Sequence, residues 1–154
     1  MLLNEYRVGM RGSERNTYFL KLAKEIAERS PDTSRKTGCV IMREVFDGTV
    51  PVAGFNTFPL GVRSRLERTE KYTFIEHAER NAIYYAAKNG IALDGSIIYL
   101  TWFPCADCAR AIVQAGIKKL VGYEPDWTET RYGFHDARTI LQEGGVEIVF
   151  EERD

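Results

Sequence analysis

Cysteine and histidine are scarce in this 154-residue chain, three of the first and two of the second, and proline is limited to five. Three thiols cannot all pair within one chain, and metal binding or simple burial is favoured for them over a disulfide. No apolar run approaches the roughly 20 residues of a membrane span. The first residues, with Asn4, Glu5, Arg7, Arg11, Glu14 and Arg15, lack the apolar stretch of a signal peptide, and a cytoplasmic protein is expected. Charge of one sign is missing too. The 21 basic and 22 acidic side chains leave a net charge of −1 and a pI near 6.2, which offers no global attraction to a phosphate backbone and disfavours a polynucleotide partner. Repeats, low-complexity stretches and Pro/Gly/Ser linkers are absent, so one domain over residues 1–154 is the expectation.

What is present suffices for a core: 44% of the residues are hydrophobic, and a chain of this length buries roughly two thirds of its unfolded surface. From Asn16 or Thr17, either a fair cap, the apolar positions Phe19, Ala23, Ile26 and Ala27 recur at helical spacing up to Ser30 and Pro31, which predicts a helix. The segments Cys39 to Phe46 and Thr49 to Phe55, joined by Asp47 and Gly48, read as an antiparallel hairpin. A polar loop with Arg63, Arg65, Arg68 and Lys71 precedes a helix expected from about Glu76 to Lys88 and stopped by Asn89 and Gly90. A buried strand at Ser96 to Thr101 comes next, then a helix opened by Pro104 and running to about Ala115. A strand at Lys119 to Tyr123, a helix at Phe134 to Glu143 and a strand at Val146 to Phe150 complete the chain. Strands alternating with helices predict an α/β layered domain.

Two short segments carry chemistry: His77-Ala78-Glu79 and, 25 residues further on, Pro104-Cys105-Ala106-Asp107-Cys108. They fit the H-x-E…P-C-x-x-C signature of zinc deaminases. Cysteines three apart at a helix start share a face, so both sulfurs can reach one ion. The positive end of the helix favours the thiolates that ligation needs. His77 adds a nitrogen, and three protein ligands leave the fourth tetrahedral position to water, as a catalytic zinc requires. Zinc brings the pKa of such a water from near 16 towards about 7. Glu79, two residues beyond His77, is placed to move protons from that water to a ring N3 and to departing ammonia while hydroxide attacks C4. One zinc ion and no organic cofactor are expected. A structural zinc or a redox pair is the alternative for Cys105 and Cys108 alone. A structural site wants a fourth ligand, for which the chain has only Cys39 and His135, and a redox pair leaves His77 and Glu79 without a role.

The stretches HAERNAI and TWFPCADCARAIVQAGIKKL resemble the cytidine and deoxycytidylate deaminase superfamily, nearest to its dCMP deaminases. The likeness extends from SRKTGCVI through GFNTFPLG to the last strand. It implies a three-layer α/β/α fold with a five-stranded mixed sheet, a homo-oligomer between dimer and hexamer, and hydrolysis of a free cytosine nucleotide, dCMP, to dUMP and ammonia. It also implies that Asn56 binds the sugar, where a strand-ending role is the other reading, and that Arg35, ahead of Lys36, meets the phosphate. Ala78, Trp102 and Phe103 complete the expected substrate-binding set, the two aromatics either stacking on a pyrimidine or packing in the core.

Outside that set, Cys39 reads as a buried small hydrophobe and His135 as a residue that caps or packs at the last helix. Trp127 and Tyr132 lie in the loop after the fourth strand, where they either cover the site, anchor the core or make an oligomer contact. Thr57 stands where regulated members carry Gly, and the basic segment Arg63 to Arg68 where they carry acidic residues, which leaves control by dCTP and TTP open. A tRNA adenosine deaminase shares both zinc motifs but has Glu-Pro-Cys-x-Met-Cys in place of Phe-Pro-Cys-Ala-Asp-Cys. A deaminase of another free base or nucleoside is a further alternative, and a nucleotide-binding sensor would not require Glu79.

Overall fold

The computed structural model of the protein describes residues 12–44, 48–67 and 69–154. Helix α1 (Gly12–Ala27) begins ahead of its expected start. Thr17, read as a possible cap, instead returns its hydroxyl to the Ser13 carbonyl at 3.0 Å, which is the back-bonding of a residue inside a helix. Strands β1 (Gly38–Met42) and β2 (Val52–Phe55) pair antiparallel as expected but are shorter. A two-residue turn at Asp47 and Gly48 would set Ile41 opposite Gly54; the ladder sets it opposite Val52. A shift of two leaves every side chain on its intended face. Phe46 and Asp47, with Val45 and Arg68, lie outside the described residues.

A one-turn helix, α2 (Lys71–Phe74), stands where a loop is expected. Helix α3 (Ala78–Lys88), strand β3 (Ile97–Leu100), helix α4 (Ala106–Gln114), strand β4 (Lys119–Gly122), helix α5 (Phe134–Glu143) and strand β5 (Glu147–Phe150) follow. The sheet order is β2-β1-β3-β4-β5, with β1 antiparallel to both neighbours and β3, β4 and β5 mutually parallel. This is the expected five-stranded mixed sheet. Every residue of β1 and β3 is buried, since a strand covered on both faces needs a continuous apolar run rather than alternation.

Helix α1 covers one face, where Phe19, Leu20 and Ala23 pack on Val40, Met42, Tyr99 and Val121. Helices α3, α4 and α5 cover the other through Ala82, Ala86, Ile112 and Leu141, over Cys39, Ile41, Ile98 and Leu120. Each large apolar side chain sealed this way stabilises the fold by about 1.5–3 kcal/mol relative to exposure. Two glycines let the layers close. A Cβ on Gly38 would stand 2.3 Å from the Ala23 carbonyl oxygen of α1, and one on Gly54 would stand 2.6 Å from that of Ala78 in α3. Among the described residues no helix is long and apolar enough to cross a membrane.

Because β2 and β3 both run opposite to β1, their C-terminal ends and the start of β1 emerge at one edge of the sheet. The edge is stitched there: Thr101 donates its N–H to the Gly38 carbonyl at 3.1 Å, and Gly38 donates to Thr101 Oγ1 at 2.9 Å. The crevice outside the carboxyl ends of strands is where open α/β sheets bind ligands.

Candidate active site

The segments leaving β2 and β3 bring His77 and Cys105 to that edge, each immediately before a helix. His77 Nδ1 lies 3.5 Å from Cys105 Sγ and 3.4 Å from Cys108 Sγ, and the three atoms lie within 4.8 Å of one another. A tetrahedral zinc with Zn–S near 2.3 Å and Zn–N near 2.0–2.1 Å sets nitrogen and sulfur about 3.5 Å apart, so the donor set fits that ion. Cys105 Sγ also accepts the Cys108 N–H at 3.4 Å. The Cys105 thiol is brought down to about 4, first by the hydrogen bond from the Cys108 side chain and then, against burial, by His77. Cys108 is pushed up by the same partnership and by burial. His77 is raised, chiefly by its bond with Cys105. One proton thus serves two sulfurs, in the place a divalent cation would take over.

Glu79 is buried, with 6% of its surface exposed, and lines the same cleft as His77 and Cys105. Burial raises its carboxyl above the usual range, against the lowering effect of its own backbone N–H and of His77. A carboxyl raised in this way holds a proton more readily than an exposed one, as a group that takes and returns protons must.

The cleft is walled by Asp32, Arg35, Asn56, Tyr72, Trp102 and Tyr132, with Thr37, Ile75 and Phe103 also reaching it. Asn56 faces it, and its amide pins the opposite rim by accepting from Thr37 N–H at 2.8 Å and donating to the Arg35 carbonyl at 2.9 Å. The Arg35 guanidinium lies 3.8 Å from the centre of the Trp102 ring and donates to the Tyr132 hydroxyl at 3.0 Å. Lys36 is turned away to Glu28 at 3.2 Å. Trp102 is half-buried, whereas Phe103 is 2% exposed and packs against Trp127, Phe134 and Phe150. Ala78, expected in the substrate-binding set, is buried, is not among the residues lining the cleft, and accepts the Cys39 thiol on its carbonyl oxygen at 3.3 Å. Cys39 is fully buried, and His135 meets the Trp127 carbonyl at 2.9 Å. Of the loop aromatics, Tyr132 lines the cleft and Trp127 packs against the core.

Several contributors carry no local signal in the sequence. Lys71, read as a loop cation, is 5% exposed and paired with Asp32 at 3.0 Å and Ser34 Oγ at 2.8 Å. Arg65 lies on the Phe74 ring at 3.9 Å. Asp32 accepts the Ser34 N–H at 2.8 Å, a turn that the Asp-Thr-Ser order does permit one to expect. Nothing in the order of residues marks Tyr72 or Thr37 as cleft walls.

Comparisons with known proteins agree with this geometry. The family described as "Cytidine and deoxycytidylate deaminase zinc-binding region" matches residues 13–124. An uncharacterized deaminase from the luxG 3′ region of Aliivibrio fischeri is 34% identical over 140 residues, covering 86% of this chain and 90% of the relative. The deoxycytidylate deaminase of Enterobacteria phage T2 is 47% identical over 72 residues, covering 47% of this chain and 36% of the relative, little more than a third of that protein's length. Among solved structures, the dCMP deaminase of cyanophage S-TIM5 in complex with dCMP and dUMP superposes with a TM-score of 0.76 at 31% identity, covering 92% of this chain and 99% of that one. On the match of its fold, its His/Cys/Cys cluster and its sequence, the chain is a deaminase of the cytidine and deoxycytidylate deaminase family.

Proposed function

We propose that the chain hydrolyses dCMP to dUMP and ammonia, with His77, Cys105 and Cys108 holding one zinc ion and Glu79 carrying the protons. The observation behind this reading is that an N,S,S donor set able to hold zinc, His77 and Cys105 of it lining the cleft, stands beside the buried Glu79 carboxyl that lines the same cleft. When bound, zinc supplies Lewis acidity that makes water a nucleophile at neutral pH. Glu79 takes one proton of the attacking water and delivers it to N3 of the cytosine as the oxygen adds to C4. It then takes the second proton and passes it to the amino group, the C4–N bond breaks, and ammonia leaves behind a carbonyl.

The remaining walls suit a nucleotide. Arg35 keeps N–H donors beyond the one given to Tyr132, so it can meet a phosphate, and Trp102 offers a ring face to a base. Asn56 has a second amide N–H beyond the one given to Arg35 and is the residue proposed to meet the sugar. The dCMP and dUMP in the cyanophage relative support the choice of substrate. The test is ammonia release by the zinc-loaded protein offered dCMP, CMP, deoxycytidine, dCTP, guanine and an adenosine-34 tRNA stem-loop in parallel. Preferential turnover of dCMP is expected. Turnover confined to another compound overturns the substrate, and none at all overturns the reaction.

A further inference from the structure

We propose that Arg80 is a positioning residue for the His77, Cys105 and Cys108 centre, tying the first turn of α3 to the first turn of α4 and so setting the separation of the nitrogen from the two sulfurs. The inference rests on the metal reading above and deepens it. His77 and the two cysteines arrive on different segments, 28 and 31 residues apart. The sheet ladder ends before either segment begins: β2 stops at Phe55 and β3 at Leu100.

Arg80 spans this gap. Its Nε donates to Glu76 Oε1 at 2.6 Å, and that same oxygen accepts the N–H of His77 at 3.0 Å. Glu76 is itself fixed, because its N–H and carbonyl exchange hydrogen bonds with Thr57 at 2.8 and 3.1 Å. On the other side, Arg80 Nη1 stands 3.5 Å from Asp107 Oδ2, and Asp107 lies between Cys105 and Cys108. The Arg80 side chain is only 19% exposed, so the fork is packed between the helices rather than waving in solvent. A planar guanidinium can meet two carboxylates in fixed directions, which an ammonium cannot do. Groups that orient metal ligands from behind are worth about 10–100-fold in metal affinity.

The experiment measures zinc affinity by chelator competition, with the absorption of the cobalt-substituted protein as a second readout of ligand geometry. Arg80→Gln should lose about 10–100-fold in zinc affinity and alter the cobalt ligand-field bands, and Arg80→Lys should recover part of the loss. Asp107→Asn, at an exposed site, cuts one arm without endangering the fold and should weaken zinc in the same direction. Arg110→Ala, which removes the other partner of Asp107, should leave affinity unchanged. Wild-type zinc affinity and cobalt spectrum in folded Arg80→Gln and Asp107→Asn proteins would overturn the positioning role while leaving the metal reading intact. A wild-type chain that binds no zinc would overturn the metal reading, and this inference with it.

Discussion

His77 and Cys105 hold the same position in two different helices: each is the residue before the first turn, with extended backbone at φ −74°, ψ 152° and φ −69°, ψ 171°. The His77 side chain makes no capping bond, so its ring is free to face the sulfurs. Two helix N-termini, each bearing partial positive charge, therefore converge on the two sulfurs. Cys105→Ala should remove zinc and lower the melting temperature, read by metal analysis and calorimetry. One zinc per subunit retained in that variant would remove Cys105 from the ligand set.

Glu79 is buried and has no counterpart elsewhere among the cleft-lining residues; Asp32, the other carboxylate there, is taken by Lys71. Glu79→Gln keeps the shape and loses the proton shuttle. Turnover should fall at least 10²–10⁴-fold, with zinc content and melting temperature unchanged. Deamination at the wild-type rate would assign proton transfer to another group.

Lys71 and Asp32 form a buried pair, both side chains 6% exposed. Lys71 is raised, first by its hydrogen bond to Asp32 and against burial. Burial raises Asp32, but donation from Ser34 and Lys71 outweighs it and the net shift is down. A lowered carboxyl contributes stability above its unfolded pKa of about 3.9, lost as pH falls through the folded value; a raised ammonium contributes below about 10.4, lost as pH rises through its own. Lys71→Met strands Asp32 and should cost about 3–5 kcal/mol between those limits. Denaturant melts across pH should show the penalty shrinking in acid. A pH-independent penalty would show that the charge pair is not its source.

Gly54 in β2 faces α3 so closely that a Cβ would meet the Ala78 carbonyl oxygen at 2.6 Å and the Ala82 nitrogen at 3.0 Å. Both contacts are backbone, so the helix must move. Gly54→Ala should cost about 1–3 kcal/mol and, by shifting His77 and Glu79 outward, reduce turnover more than stability alone explains. Unchanged kinetics would mean that the helix moves as a unit without disturbing the centre.

The proposed contact of Arg35 with the phosphate predicts that its loss separates recognition from chemistry. Arg35→Gln should raise KM for dCMP while leaving the far slower turnover of deoxycytidine nearly untouched, measured as a ratio of kcat/KM values. An equal loss on both would assign Arg35 to shaping the Trp102 and Tyr132 wall instead.

The order of residues was sufficient for the parts governed by short-range spacing. Cys105 and Cys108 share a helix face because they are three apart, β3 announces itself as buried by a short apolar run, and α5 occupies Phe134–Glu143 as expected because Gly144 and Gly145 stop it. The family signature placed His77 and Glu79 with the cysteines. The tertiary structure alone decided what spacing does not encode: the register that sets Ile41 opposite Val52, the helix at Lys71–Phe74, and the seating of α3 on Gly54. It also decided that Asp32, Thr37, Asn56, Tyr72 and Tyr132, from separate segments, wall one cleft. Periodicity reports which face of an element is apolar, whereas the meeting of distant segments depends on strand direction, register and the depth to which helices settle on the sheet, and those emerge only when the layers pack.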